Sequence, residues 1–208
     1  QNYPLLVGMK TNLYKCFLPQ AWYFSSNSGV SAFIHPEGIY DDPKGGRLRE
    51  ALYPKLRKHF QFRNELKLFS EVHHSRVYSL NIYCNRPSAS FDSINNLFST
   101  NAVDDCYSGE KQPLIGIKDE NGAWCTSGSA DRVLCISTKE LATFGKLFDY
   151  EDNWKETKLL ALHSKQLLNV VKKLAAQDMC VGNIPSVYIS EMWNETNAQR
   201  DGTIKKSV

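Results

Sequence analysis

The residues best suited to chemistry lie in the first third of the chain, in one loop and in one histidine pair. The loop carries Asp41 and Asp42, whose carboxylates could hold a metal ion or act as a base, and could equally form turns before Pro43. His73 and His74 are adjacent, so in a strand their rings would point to opposite faces and would not share a metal ion. A ring at a strand edge could instead stack on a nucleobase. We therefore predict no metal site and interpret the acidic pair as turn residues.

A glycine pair and a group of basic residues follow the acidic loop. Gly45 and Gly46 precede a predicted helix, whose first backbone N–H groups would favour an anion. The sequence contains no glycine-rich phosphate-binding motif, so we interpret the pair as a turn, with a contact to a nucleic-acid phosphate as the alternative. The basic residues form either a solvated helix face or a surface that follows DNA phosphates. The predicted DNA contacts here are Lys44, Arg47, Arg49, Arg57, Lys58 and Arg63.

The segment WNETNAQRDGT near the end of the chain is dense in amide and charged groups. Such a segment is often only a polar loop, but Asn, Gln and Arg are also the side chains that read base edges with two hydrogen bonds. The predicted DNA contacts in this segment are Asn194, Asn197, Gln199 and Arg200.

The elements that would position these groups follow an α/β order. The segment KTNLYKCFLPQAWYFSSNSG predicts a helix, with Leu13, Phe17, Ala21 and Phe24 in one apolar stripe. VSAFI predicts a strand covered on both faces in a parallel sheet, and it ends at His35-Pro36. GRLREALYPKLRKHF predicts a second helix, and FQFRNEL and RVYSLNIYCN predict strands. This order is that of the second half of a doubly wound α/β sheet, which binds ligands where its strands end.

The composition changes after Pro87. Ser, Asn, Asp and Gly become frequent, which predicts irregular structure with short strands over residues 87–136. A short helix follows, capped by Ser137 or Thr138, and WKETKLLALHSKQLLNVVKKLAAQ predicts a long one. We therefore predict a partial catalytic domain at 1–86, a linker region at 87–136, and at 137–208 a helical region that leads into a target-recognition segment. The part after residue 86 is expected to be mixed α+β.

Composition and charge set the class of protein. The 208 residues are 42% hydrophobic and 23% charged, with a net charge of +3, which is typical of a globular protein and permits an anionic partner. No apolar run approaches the ~18 residues that span a bilayer. The six cysteines form no C-x-x-C pair, so we interpret them as reduced thiols of a cytoplasmic protein, most of them buried.

The motifs NLYKCF, SGVSAFIHP, RLREALY and FQFRNELKLFSEV…VYSLNIY occur in this order over residues 10–85. This order resembles the segment after the catalytic motif in adenine-specific DNA methyltransferases of the gamma subclass. The likeness is greatest to the large chains of restriction–modification and related phage-defence systems. MWNETNAQRDGTIKK also resembles a segment of these enzymes.

The resemblance implies a Rossmann-like sheet that binds S-adenosylmethionine and methylates the N6 amine of an adenine flipped out of double-stranded DNA. It also implies that a side chain on the hairpin between the last two strands packs on the base. That position falls on His73, or on His74 if the alignment slips by one residue, and Pro36 would form another part of the pocket wall. The sequence leaves open whether a restriction endonuclease is fused to the methyltransferase.

The sequence lacks the family's glycine-rich cofactor motif and its Asn/Asp-Pro-Pro-aromatic catalytic motif. We therefore expect the downstream half of a catalytic domain, inactive alone and without a catalytic residue of its own. Its cut sheet edge would expose apolar surface, to be covered by self-association or by a partner chain. The alternative is a complete, non-catalytic α/β module that binds nucleic acid or another protein.

Overall fold

A computed structural model describes residues 2–10, 12–109, 113–114, 116–149, 153–178, 184–186, 188 and 194–205. The strands are β1 Val30–Pro36, β2 Leu56–Arg63, β3 Val77–Cys84, β4 Ser90–Leu97 and β5 Leu134–Ser137. The α-helices are α1 Leu13–Phe24, α2 Gly38–Asp41, α3 Gly46–Leu52, α4 Asn101–Tyr107, α5 Thr138–Phe144, α6 Lys165–Ala175 and α7 Glu195–Arg200.

The five strands form one mixed, open sheet in the order β1-β3-β2-β4-β5. β3 is antiparallel to both of its neighbours, β2 and β4 are parallel, and β5 is antiparallel to β4. The predicted α/β class is confirmed, and the sheet is compatible with part of a Rossmann-like sheet followed by an α+β region.

The strand β1 differs from its predicted environment. It is an edge strand, paired along one side with the antiparallel β3, and it is not covered on both faces. On one face Val30, Ala32 and Ile34 are exposed, while Phe33 and His35 point to the covered face. β1 therefore forms an edge of the sheet and exposes apolar side chains on its open face.

The two compact units of the chain are residues 1–175 and 176–208. These boundaries differ from the predicted ones at 86 and 136, because β4 and β5 belong to the same sheet as β1–β3. The expected irregular region thus contributes an eight-residue strand and the helix α4.

The predicted second helix is shorter than expected. α3 ends at Leu52, and β2 begins at Leu56, so residues 56–60 are strand and not helix. Pro54 lies between the two elements, where it has no N–H group to continue the helix.

Helix α1 is apolar on two sides. Cys16, Leu18 and Trp22 are buried against the sheet. The predicted apolar stripe faces solvent, with Leu13 69%, Phe17 49% and Phe24 80% exposed, while Ala21 is half-buried. Trp22 packs its ring edge-on to Tyr83 of β3 with centroids 5.6 Å apart, which fixes the helix on the sheet.

The predicted long helix begins later than its periodicity indicated. α6 starts at Lys165, and residues 157–163 before it form neither helix nor strand. There the N–H of Leu159 donates to the carbonyl of Tyr40, and Nδ2 of Asn95 donates to the carbonyl of Leu162. These long-range bonds outweigh the helical spacing of the leucines.

The predicted cap of α5 is confirmed. Ser137 is the N-cap, its hydroxyl accepts from the N–H of Lys139, and Glu140 bonds back to the Ser137 N–H to complete a capping box. Lys172 of α6 donates to the same carboxylate at 2.6 Å and so joins the two helices.

Two apolar clusters cover the sheet, one on each face. The larger contains α1, α3, α5 and α6, and the smaller lies between β2, β4 and α4. Cys16, Cys106 and Cys125 are buried, Cys84 is half-buried and Cys135 is exposed, all of them as free thiols. None of the described helices has the length and apolarity needed to cross a membrane.

Candidate functional site

The chain opens two clefts where β1 ends. The first has a volume of about 640 Å³ and lies between the end of β1 and the hairpin that joins β2 to β3; we call it the hairpin cleft. Its lining includes Ile34, His35, Pro36 and Glu37 from β1 and the following loop, and Phe69, Val72, Ser75, Arg76 and Tyr78 from the hairpin.

The second cleft lies on the other side of the same loop, against the start of α1. It has a volume of about 450 Å³, and we call it the helix cleft. It is lined by Lys10, Asn12, Tyr14, Lys15, Asp42 and Pro43 in addition to the shared residues. Pro36, Gly38 and Asp41 line both clefts, and we call the segment from Pro36 to Gly38 the ridge.

Of the three residues predicted for a base pocket, Pro36 lines both clefts. His73 and His74 lie on the hairpin, exposed, with ring centroids 4.4 Å apart. Nδ1 of His73 bonds to Ser75 Oγ at 2.8 Å, and Nδ1 of His74 lies 3.0 Å from a carboxylate oxygen of Glu65. Val72 and Ser75, the neighbours of the histidine pair, line the hairpin cleft. Neither histidine is among the described residues that line it.

Glu37 brings a carboxylate to the hairpin cleft and is held by polar side chains of the sheet. His59 Nε2 lies 3.2 Å from its Oε2, and Gln61 Nε2 donates to the same oxygen at 2.9 Å. Burial by itself raises the pKa of Glu37, but the imidazole of His59 and hydrogen bonds from His59, Ser79 and Gln61 outweigh it and lower this pKa to about 2. The carboxylate is therefore ionised at neutral pH.

His35, the last residue before Pro36, is buried beneath the ridge. Its Nδ1 lies 2.9 Å from the carbonyl oxygen of Pro36, and its Nε2 lies 3.0 Å from Asn81 Nδ2 and 3.1 Å from the hydroxyl of Tyr83. Burial lowers the pKa of His35. Tyr14 stacks on its ring with centroids 5.2 Å apart, so the imidazole is held on several sides.

Sequence reasoning did not single out Glu37, His59 or their polar partners as a group. Three strands in succession carry polar side chains two residues apart, which a strand places on one face. These pairs are His59 and Gln61, Ser79 and Asn81, and Ser93 and Asn95. A polar pair of this kind in each of three successive strands is the signal that predicts a shared buried layer.

Ser93, His59 and Glu37 are hydrogen-bonded in the order of a nucleophile, a base and an orienting acid. Ser93 Oγ lies 2.9 Å from Nδ1 of His59, whose Nε2 faces the carboxylate. Ser93 is only 1% exposed, and it lines neither of the two clefts. A substrate has no access to this hydroxyl, so these three hydrogen-bonded side chains are structural and do not form a hydrolytic site.

The structure separates the predicted phosphate contacts by exposure. Lys44 and Arg47 are exposed near the start of α3. Arg49 is 3% exposed, and its guanidinium donates to the carbonyls of Ile39, Asp42 and Glu156. This arginine joins α2, the residue after it and the segment around Glu156. It is not placed to meet DNA, because a buried guanidinium that is bound to carbonyls presents no donor to a phosphate.

The other basic residues of this set lie on β2 and are half-buried. Arg57 donates to the carbonyls of Pro54 and Leu56, and Nε of Arg63 donates to Asn96 Oδ1 at 2.9 Å. Lys58 forms an ion pair with Asp92 at 2.5 Å. Each of these cations has a protein partner that contact with DNA would have to share or replace.

The predicted base-reading segment lies in the second compact unit. Asn194 is the N-cap of α7 and accepts from the N–H of Asn197, so its side-chain oxygen is used in the helix start. Gln199 bonds to Glu195 one turn earlier, and Arg200 is exposed in the last turn.

One member of the acidic pair and one of the glycine pair belong to a turn, in which the N–H of Gly45 donates to the carbonyl of Asp42 at 2.9 Å, whereas Gly46 begins α3. Asp42 accepts from the N–H of Lys44 at 2.9 Å and faces Lys15 Nζ at 3.3 Å, while Asp41 ends α2. A methyl group at Gly46 would collide with the Glu156 carboxylate, which therefore blocks the start of α3 against an anion. Within the described residues, no group of three His, Cys, Asp or Glu side chains is arranged to hold a metal ion.

Comparison with known proteins identifies no relative: neither the family models nor the curated proteins give a match to this chain.

Proposed function

We propose that this chain is part of a site-specific DNA methyltransferase, which transfers a methyl group from S-adenosylmethionine to N6 of adenine in a restriction–modification or phage-defence system. The observation that carries the proposal is the hairpin cleft, which lies between Pro36 at the end of β1 and the hairpin between β2 and β3. The resemblance implies that these two segments each form part of the wall of the base pocket. The elements α1, β1, α3, β2 and β3 also follow one another in the implied order.

The lining of the cleft suits a flipped base. Its volume of about 640 Å³ admits a nucleotide, and Ile34, Phe69 and Val72 offer apolar surface to the faces of a ring. Arg76 at the same cleft can meet a phosphate of the flipped nucleotide. Lys44 and Arg47 are the exposed cations of the predicted set that would contact the adjoining DNA backbone.

S-adenosylmethionine is not accommodated by the residues present. The glycine-rich motif is absent from the sequence, and the glycine pair before α3 is closed by Glu156. The groups that hold the cofactor and the target amine would therefore come from polypeptide other than these residues. The β1 edge and the exposed stripe of α1 are the surface against which such a partner would pack.

The test is methyl transfer by the complete gene product that contains this chain. With labelled S-adenosylmethionine and plasmid DNA, we expect N6-methyladenine in the digested DNA, and no transfer by the 208 residues alone. Absence of N6-methyladenine with the complete product would contradict the proposed function. Transfer by the 208 residues alone would contradict the inference that the cofactor groups lie elsewhere.

The contribution of the hairpin is tested by one pair of variants of the complete product. Val72 lines the cleft and His73 does not, although His73 is the residue that the resemblance implies. If the base meets the cleft as the structure forms it, Val72→Ala lowers methyl transfer more than His73→Ala. The reverse order would mean that the hairpin turns its histidine inward on DNA.

The exposed apolar surface also favours a second candidate, a non-catalytic α/β module that binds a protein or a nucleic acid. A complete product that binds DNA with strong salt dependence but makes no N6-methyladenine would support this candidate.

A further inference from the structure

Two buried histidines bind the ridge, one at Pro36 and the other at Glu37. The first is His35, whose Nδ1 faces the Pro36 carbonyl, an oxygen that can only accept. Nδ1 must therefore carry the proton. Asn81 Nδ2 also contacts the Ser79 carbonyl, so it is a donor, and in the neutral ring Nε2 of His35 accepts from it and from the Tyr83 hydroxyl.

The second is His59, whose Nε2 faces the ionised carboxylate of Glu37 and therefore donates to it. On the other side of the ring, Asn95 Nδ2 donates to Ser93 Oγ at 3.1 Å, which leaves the Ser93 hydroxyl hydrogen free to donate to Nδ1 of His59. The ring of Tyr40 packs edge-on against His59 with centroids 4.7 Å apart.

We infer that His35 and His59 are positioning residues, which fix the Pro36 carbonyl and the Glu37 carboxylate and thereby hold the ridge that separates the hairpin cleft from the helix cleft. Both imidazoles are buried, and within the described residues His35 lines the hairpin cleft whereas His59 lines neither cleft. Each ring bonds to the ridge, at the Pro36 carbonyl or at the Glu37 carboxylate, and therefore acts through it. Because Pro36 and Gly38, the neighbours of Glu37, line both clefts, a shift of the ridge changes both. The identity of the ligand rests on the proposed function, whereas the positioning of the ridge by the two histidines does not.

The first test is the protonation pattern of the two rings in the 208-residue chain. Long-range ¹H–¹⁵N spectra at neutral pH are expected to show the Nδ1–H tautomer for His35, which is the less favoured form in water, and a proton on Nε2 of His59. An Nε2–H tautomer at His35, or an unprotonated Nε2 at His59, would overturn the inference.

The second test compares His59→Gln, which keeps a donor toward Glu37, with His59→Leu, which fills similar space without one. The readout is hydrogen exchange of the Tyr40 amide, which donates to the Glu37 carbonyl at 2.8 Å. We expect exchange about tenfold faster in His59→Leu and within about threefold of wild type in His59→Gln. The Leu168 amide in α6 is the internal control. Equal acceleration in the two variants, or none in either, would overturn the inference.

The same variants bind a DNA probe if the proposed function holds. With a duplex that carries an unpaired 2-aminopurine, His59→Leu is expected to weaken binding about tenfold and His59→Gln by less than about threefold. If the wild-type chain does not bind this probe, the result counts against the proposed function alone. The spectra and the exchange rates still test whether His35 and His59 position the ridge. Equal loss of binding in both variants would show a merely structural role for His59 and contradict the inference.

Discussion

At the scale of single residues, Glu37 links the stability of the chain to pH. Its pKa of about 2 in the folded chain lies below the unfolded value near 4.5, so its ionised form stabilises the fold. This contribution is fully present above about pH 5 and is lost as the pH falls toward 2. It amounts to roughly 3 kcal/mol. In Glu37→Gln we therefore expect a lower free energy of unfolding at pH 7 and a flatter dependence between pH 5 and 2, measured by urea unfolding.

Glu50→Gln is the matched control for this titration. The Glu50 side chain is 45% exposed and pairs with Lys155 at 3.6 Å, so its removal should leave the pH profile close to that of wild type. The free energies of unfolding of wild type and Glu37→Gln could instead change in parallel from pH 7 to 2. That result would show that the carboxylate of Glu37 is not held by its neighbours.

The candidate site was partly predictable residue by residue. The turn at Pro36 follows from an apolar run that ends at a proline, and the structure places it between the two clefts. The sequence pattern places His59 in the predicted second helix, because its neighbours are charged and Leu52 and Leu56 are spaced as in a helix. Its true surroundings depend on which strands lie beside β2, since the register sets it opposite Asn81 and Ser93. Local periodicity carries no such information.

At the scale of elements, one glycine sets the distance between α4 and the loop before β5. A methyl group at Gly128 would lie 2.7 Å from the backbone nitrogen of Cys106 and would collide with the carbonyl of Ala102. Both atoms are helix backbone and cannot move aside like a flexible side chain. We expect Gly128→Ala to lower the free energy of unfolding by at least about 2 kcal/mol, measured by urea unfolding.

Gly116→Ala is the control for this close approach. Its added methyl group would meet the nearest atom, the carbonyl oxygen of Lys118, at an ordinary 3.5 Å. We expect a change within about 0.5 kcal/mol. If Gly128→Ala were as mild as this control, the loop would not be packed against α4 as described.

The elements themselves show where sequence patterns are sufficient. The start of α5 follows from Ser137 and Glu140, because both partners of a capping box lie within one turn. The start of α6 does not follow from its leucines, because Leu159 and Leu162 bond to distant parts of the chain and leave the helix. A local pattern predicts an element well when the bonds that fix its ends are also local.

At the scale of the whole molecule, apolar surface is exposed on both α1 and β1. The outward stripe of α1 lies in the layer that covers the sheet, and Val30 and Ile34 lie on the opposite, open face of β1. β1 also carries no charged side chain and pairs with β3 over seven residues without a bulge. Charges and bulges are common ways to protect an edge strand, so this edge is open to association.

This surface predicts that the isolated chain associates and that charge on α1 prevents it. Phe17 and Phe24 are largely exposed, so replacing both with Glu removes apolar surface without opening the core. We expect the double variant to raise the dissociation constant for self-association at least about tenfold in sedimentation velocity. Its free energy of unfolding, measured where the chain is monomeric, should change by less than about 1 kcal/mol.

Gln20→Glu on the same helix adds charge but removes no apolar side chain, so it should associate nearly as wild type does. Equal association of the double variant and wild type would place the self-association surface elsewhere than on α1.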